Sequence, residues 1–327
     1  MPGTDIAESV RAVVGELPEL PFLPQLPARG GGADPVGRSV ALLVDIWAEV
    51  EPSGWRIARR PTRDVQRAKD FLAWDLDALE EHAAAAGMLK VQFCGPLTLG
   101  AQLEVPNGNR VLTDPGALED LTASLVEGLR THLAELRRRL PGTAFVLQLD
   151  EPDLVPVLAG ELPTASGLAT VRALGAATAR TLLSSVLDVA ADCRTVLNVE
   201  FAALGFVGGM DFDAVTVDFQ ALGKTAADLD RVGELVNAGH TVLAGVVPAV
   251  ARGPARKERR TLSEQAAPLL DPLRALGFDA ATIAAQVIPT PVDGLADADQ
   301  DRATRVLRRC RELGRLLADG REPIENG

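Results

Sequence analysis

Short, almost continuous apolar runs alternate along most of this chain with longer segments that repeat apolar residues at helical spacing, and this alternation constrains the fold more than any other feature. The runs are 89–93, 144–149, 195–199, 214–217, 241–246 and 284–288. A strand that is apolar at nearly every position is covered on both faces, as in a parallel sheet between layers of helix. The intervening segments 62–86, 115–139, 171–191, 226–238, 261–276 and 298–317 read as helices. In the first, Val65, Ala68, Phe71, Leu72, Leu76 and Leu79 share a face, Thr62 stands as N-cap and Asp64 lies in the first turn. Thr113-Asp114-Pro115 opens the second, with Pro early in the helix.

Repeated strand-then-helix units with no break in composition predict one α/β domain over residues 1–327, its parallel sheet either closed as a (β/α)8 TIM barrel or open and doubly wound. A chain of 327 residues suits a barrel, which needs about 250 or more. No GxGxxG follows an early strand, and the glycines of ARGGGAD lie between a loop and a helix, so dinucleotide binding finds little support.

The formal net charge of -12 excludes nucleic acid and anionic membranes as expected partners, because both require clustered basic charge. A small-molecule ligand fits better. Cys94, Cys193 and Cys310 form no CxxC pair, and no basic leader or run of about 20 apolar residues is present, so the expected location is a reducing cytoplasm.

Barrel enzymes carry their working groups at the C-terminal ends of strands. Polar residues that end the apolar runs here are Asp150 and Glu151, Asn198 and Glu200, Asp218, and Asp293 in the last loop. Asn198 and Glu200 share a face because side chains alternate in a strand. Singly, each acid also reads as a helix cap or a solvated group. Together they could hold a proton for acid–base work or bind a hard cation such as Mg²⁺ or Mn²⁺. His82, His132 and His240 end no strand and read as structural or exposed. Cys94 ends its run beside Gly95-Pro96, where it either lines the pocket or packs as a small core residue. Arg29 and Arg38 flank the loop glycines and read as solvated arginines, with contact to an anionic ligand at the mouth as the sharper alternative.

The segments LPARGGGADPVGR, VQFCGPLTLGAQLE, VLQLDEPDL, VLNVEF, VTVDFQAL, LAGVVPA and QVIPTPVDGLA span nearly the whole chain. Through them the sequence resembles the cobalamin-independent methionine synthase family, in particular its short single-barrel versions found in actinobacteria. The resemblance implies a barrel that moves a methyl group from a methyltetrahydrofolate-type donor to a thiol such as homocysteine, with zinc activating the thiol. Asp150 of LDEP matches the aspartate expected to hold the substrate amino group, with Glu151 and Cys94 beside it in the substrate pocket.

At the zinc positions the pattern departs from the family. Asn198-Val199-Glu200 stands where the family has His-x-Cys, Asp218 keeps an acidic ligand, and Pro291-Val292-Asp293-Gly294-Leu295 replaces Pro-x-Cys-Gly-Leu. Such an all-oxygen set suits Mg²⁺, Mn²⁺ or a metal-free carboxyl network better than zinc. Family members also carry a first strand ending Gly-Ser-x-Pro-Gly-Thr, whereas Met1 directly precedes Pro2-Gly3-Thr4. The first barrel strand is therefore expected to be missing, through a start placed too late or because the barrel is open. The expected activity is that of a methionine synthase-like methyltransferase with an altered site, in which Asp150 binds an amino acid or small carboxylate and Glu200, Asp218 and Asp293 serve as ligands or acid–base groups. A metal-free decarboxylase or lyase of the uroporphyrinogen decarboxylase-like barrels, and a non-catalytic binding barrel, are the alternatives.

Overall fold

The computed structural model describes residues 1–222, 225–250 and 261–319. In chain order it contains α1 (Ile6–Glu16), α2 (Pro35–Val40), β1 (Trp47–Glu51), β2 (Gly54–Ala58), α3 (Arg63–His82), β3 (Met88–Cys94), α4 (Pro96–Gln102), β4 (Leu103–Glu104), α5 (Pro115–Arg139) and β5 (Ala144–Glu151). There follow α6 (Leu154–Ala159), α7 (Ala176–Leu187), β6 (Arg194–Val199), α8 (Leu204–Val207), β7 (Ala214–Asp218), α9 (Ala226–Asn237), β8 (Thr241–Val247), α10 (Leu262–Ala275), α11 (Ala280–Gln286), β9 (Val287–Pro291) and α12 (Gln300–Ala318).

Six of these strands form one curled parallel sheet in the order β3-β5-β6-β7-β8-β9. Helices join successive strands and bury their apolar faces against it, as in a barrel, although between β6 and β7 the connection is only the short α8. Thr62 caps α3 through the Val65 amide at 3.2 Å, and Asp114 caps α5 through the Ala117 amide at 3.2 Å. The small sheet β1-β2-β4, an antiparallel hairpin with one parallel partner, packs outside the main sheet. No described helix is long and apolar enough to cross a membrane.

Of the expected (β/α)8 barrel, possibly lacking its first strand, six parallel strands are found among the described residues and the barrel is not closed. Among the described residues, the edge beyond β3 is occupied only by the segment around Phe22, joined by two backbone–backbone bonds: the Leu23 amide to the Lys90 carbonyl and the Lys90 amide to the Pro21 carbonyl, both 2.8 Å. Pro18, Pro21 and Pro24 deprive this segment of amide donors, so it cannot extend a regular ladder. On the other edge, among the described residues, β9 pairs with β8 alone, and Pro289 and Pro291 suit it to an edge. The helical layer nevertheless continues across the gap: Glu16 of α1 receives Arg308 and Arg311 of α12 at 2.7 and 3.2 Å.

The last apolar run is displaced. Residues 284–286 end α11, whose N-cap Asp279 binds the Thr282 amide at 2.7 Å, and the strand begins at Val287. A short Ala-rich run carries no periodicity that separates helix from strand, and the cap decides. The segment expected as helix 171–191 is regular only over Ala176–Leu187 and a following turn, because the Val171 and Leu174 amides bond to the Leu162 and Val157 carbonyls instead.

Candidate functional site in the sheet interior

The inward face of the sheet is layered. Val146, Val196, Ala214 and Leu243 cluster toward the N-terminal ends of their strands, with Leu20 and Met88 against them. Two residues further along β5, β6 and β7 the same face turns polar, since side chains alternate with period two, whereas on β8 Gly245 follows Leu243. Gln148 follows Val146, Asn198 follows Val196, Thr216 follows Ala214, and on β3 Lys90 and Gln92 follow Met88. The register sets Gln92 opposite Gln148 and Asp150 opposite Asn198.

These side chains form one hydrogen-bonded chain. The Lys90 ammonium donates to Gln148 Oε1 at 2.8 Å and to Gln92 Oε1 at 3.3 Å. Gln148 Nε2 and Asn198 Nδ2 both donate to Asp150 Oδ1 at 2.7 Å, and Thr216 Oγ1 donates to Asn198 Oδ1 at 2.7 Å. Gln92 Nε2 donates to the Leu23 carbonyl at 2.7 Å. Among the described residues Asp150 Oδ2 receives no hydrogen bond, which leaves one carboxylate oxygen for a ligand. Burial pushes the Asp150 carboxyl upward, opposed by the Gln148 and Asn198 bonds and by the Lys90 charge. Burial also lowers the Lys90 ammonium to about 8, with Asp150 partly restoring it.

The other expected residues divide. Glu151, next to Asp150 and therefore on the opposite face, is fully buried and accepts bonds from the Leu97 amide at 2.9 Å and from the Thr98 amide and hydroxyl, each at 2.6 Å. It caps the first turn of α4, and burial raises its carboxyl to about 7. Gly95 is required beside it: a Cβ there would lie 2.6 Å from Glu151 Cδ and 2.8 Å from Cγ. Cys94 is buried, its backbone amide bonded to Ser39 Oγ at 2.8 Å, and burial together with the Asp150 charge pushes its thiol well up, away from nucleophile chemistry. Glu200 is exposed at the end of β6, and Asp293 is exposed in the loop after β9. Asp218 turns back on its own loop, where Oδ1 accepts the Gln220 and Ala221 amides at 2.8 and 3.0 Å.

The structure thus brings Asp150 and Asn198 together, but among the described residues no three of His, Cys, Asp and Glu stand close enough to hold a metal ion. Zinc does not fit the positions Asn198, Glu200, Asp218 and Asp293. They offer neither sulfur nor imidazole, and the Asn198 amide is engaged at both ends, by Asp150 and by Thr216.

Arg29 and Arg38 are not solvated. Both are buried on Asp75 of α3, Arg29 by two bonds of 2.8 and 3.1 Å and Arg38 through Nη1. Asp75 lies on the buried face of α3 with Leu72, Leu76 and Leu79, and an acid on an apolar stripe was the signal for a buried ion pair. Lys90, Gln92, Gln148 and Thr216 were not singled out in the sequence. Their signal was available, since each is a polar residue at an alternate position inside an apolar run.

This architecture defines a class: an open parallel α/β barrel with a polar layer above an apolar floor. No family model matches the chain, and no curated protein sequence does. Among solved structures it is similar to a B12-independent methionine synthase from Shewanella sp. W3-18-1 in complex with selenomethionine, at 10% identity and a TM-score of 0.58, covering 96% of this chain and 88% of that one. A xylanase from Cellvibrio japonicus aligns over 78% of this chain and 57% of its own at 11% identity and a TM-score of 0.39. The first likeness is one of fold.

Proposed function

We propose that the protein is a methionine synthase-like enzyme whose sheet interior binds an amino acid or a related small amine-bearing carboxylate, with Asp150 receiving the ammonium group. The observation that carries this reading is the Asp150 carboxylate, with Oδ1 fixed by two amides at 2.7 Å and Oδ2 left for a ligand. A carboxylate held in this way pairs with an ammonium without having to reorganise. In the resemblance the matching aspartate holds the substrate amino group, and the methionine synthase of similar fold carries selenomethionine. Methyl transfer to a homocysteine-like thiol is the reaction that the resemblance suggests, and a cytoplasmic setting is expected with it. No step is assigned to zinc, because the residues at its positions do not suit it.

Calorimetric titration with L-methionine, L-homocysteine and methylfolates tests the reading. Saturable binding of an amino acid that Asp150→Asn abolishes supports it; equal binding by the variant refutes it. A second reading, metal-free decarboxylation or lyase chemistry, is favoured by the buried Lys90 ammonium, a fixed positive charge suited to a substrate carboxylate. Turnover of a carboxylic substrate that persists in chelator and is lost in Asp150→Asn would select it over methyl transfer.

A further inference from the structure

Lys90 stands out from the basic residues of this chain. Only four of the 33 are lysine, at positions 69, 90, 224 and 257, and of the two that are described Lys90 lies in the sheet interior. Arginine keeps its proton at any accessible pH, whereas lysine can release it. The groups that face Lys90 come from three elements: Gln92 on its own strand, Gln148 and Asp150 on β5, and the Phe22 ring 5.5 Å away on the proline-rich segment. Of these, Asp150 alone is titratable, and it is the one charge that acts on the lysine.

The path between the two charges runs through a single amide. Gln148 Oε1 faces the Lys90 ammonium at 2.8 Å, and its Nε2 faces Asp150 Oδ1 at 2.7 Å. With a cation at one end and an anion at the other, the amide has one stable orientation, and it presents a donor to Asp150. Asn198 is held in the same sense by Thr216. A flipped Gln148 would set its oxygen against the carboxylate and its NH₂ against the ammonium.

Resting on the reading of Asp150 as the amine acceptor, we propose that Lys90 is the positioning residue of that site: acting through Gln148, its ammonium keeps the Asp150 carboxylate charged and turned to receive an amine. It need not touch the ligand. When Lys90 loses its proton, Asp150 loses its compensating charge, the Gln148 amide loses the charge that orients it, and amine binding weakens on the alkaline side.

The test has one arm with ligand and one without. With four lysines the side-chain ε-carbons can be followed individually by NMR after isotope labelling. Lys90 is expected to titrate well below the others, and Asp150→Asn is expected to lower it further by about one pH unit, since the carboxylate charge supports the ammonium. A Lys90 titration that Asp150→Asn does not move overturns the proposal, whether or not any ligand is found. In the second arm, calorimetry with L-methionine and L-homocysteine is run from pH 6 to 10. Lys90→Met is expected to weaken binding at least tenfold, and Lys90→Arg to restore it while removing the alkaline fall near the lysine titration. Binding by Lys90→Met equal to wild type across that range, with Asp150→Asn inactive, overturns Lys90 and leaves the site standing. No binding by wild type, with the NMR coupling present, refutes the reading of the site and leaves the coupling. Should Lys90→Met fail to fold by circular dichroism, Lys90→Arg and Asp150→Asn carry both arms.

Discussion

Glu151 and Gly95 should behave as one unit, and their coupling can be measured. Glu151→Ala removes the acceptor of the Leu97 and Thr98 amides and of the Thr98 hydroxyl, all buried. Each stranded donor costs about 1–3 kcal/mol, and the vacated space adds a cavity term. Against this, the carboxyl is raised from 4.5 to about 7, which amounts to about 3 kcal/mol of charge-burial cost that the variant no longer carries above pH 7. Three donors at that cost, less about 3 kcal/mol, leave a net loss of about 0–6 kcal/mol at pH 7.5, to which the cavity term adds. Because a carboxyl raised in the folded state loses stability as pH rises from its unfolded toward its folded value, the loss in Glu151→Ala is larger at pH 5.5 than at pH 7.5. Gly95 has an ordinary backbone, φ -76, so Gly95→Ala is opposed only by overlap with Glu151, at about 1–3 kcal/mol. In the Glu151→Ala background the new methyl enters vacated space and its cost falls near zero. Urea denaturation of the four proteins at both pH values yields the cycle. Additive costs, or a Glu151→Ala loss that grows with pH, refute the reasoning.

Three further outcomes follow from the same structure. Asp75→Asn leaves the buried Arg29 and Arg38 without their carboxylate and should cost about 3–5 kcal/mol, little affected by salt; a loss under about 1 kcal/mol in urea denaturation would show that the pair is not buried as described. His132 is lowered to about 3, by burial first and by Arg38 second, so the unfolded chain takes up its proton below about 6.5 and wild-type stability falls with pH from there. His132→Leu should escape about 2 kcal/mol of that fall between pH 6.5 and 5, with Glu151 cancelling from the comparison because both proteins retain it; parallel stability curves would refute this. Purified protein should carry zinc well below stoichiometry, and Glu200→Ala should change stability by no more than about 0.5 kcal/mol, whereas stoichiometric zinc lost in Glu200→Ala or Asp293→Ala would reinstate a metal site.

The sheet was legible in the sequence because its strands are buried on both faces and declare themselves as apolar runs; five of the six expected runs fall within the strands observed. Helix starts were legible where a side chain caps, at Thr62 and Asp114. The open edge was legible only as the missing family strand before Pro2-Gly3-Thr4, because the prolines that prevent residues 18–24 from forming a regular strand also occur in ordinary loops. At the site, Asp150 could be read from its place at a strand end, but Glu151 beside it could not be separated from it. Neighbouring residues in a strand point to opposite faces, and only the register tells which face is the interior. Arg29 and Arg38 look solvated in a glycine-rich loop until Asp75, 46 and 37 residues away, is seen to meet them.

The contrast between the two interior layers bears on where function resides. A barrel interior built for stability alone is filled with branched aliphatic side chains, and the layer of Val146, Val196, Ala214 and Leu243 is of that kind. One step closer to the C-terminal ends, β3, β5, β6 and β7 bring in a lysine, an aspartate, three amides and a hydroxyl. The lowered Lys90 and raised Asp150 titrations record that neither charge is comfortable there. Every amide in the layer has its partners, so the network is specified rather than incidental. The acids of the rim carry no such cost: Glu200 and Asp293 are exposed, and Asp218 serves its own turn. A substitution that abolishes ligand recognition is therefore to be sought in the polar layer before the rim.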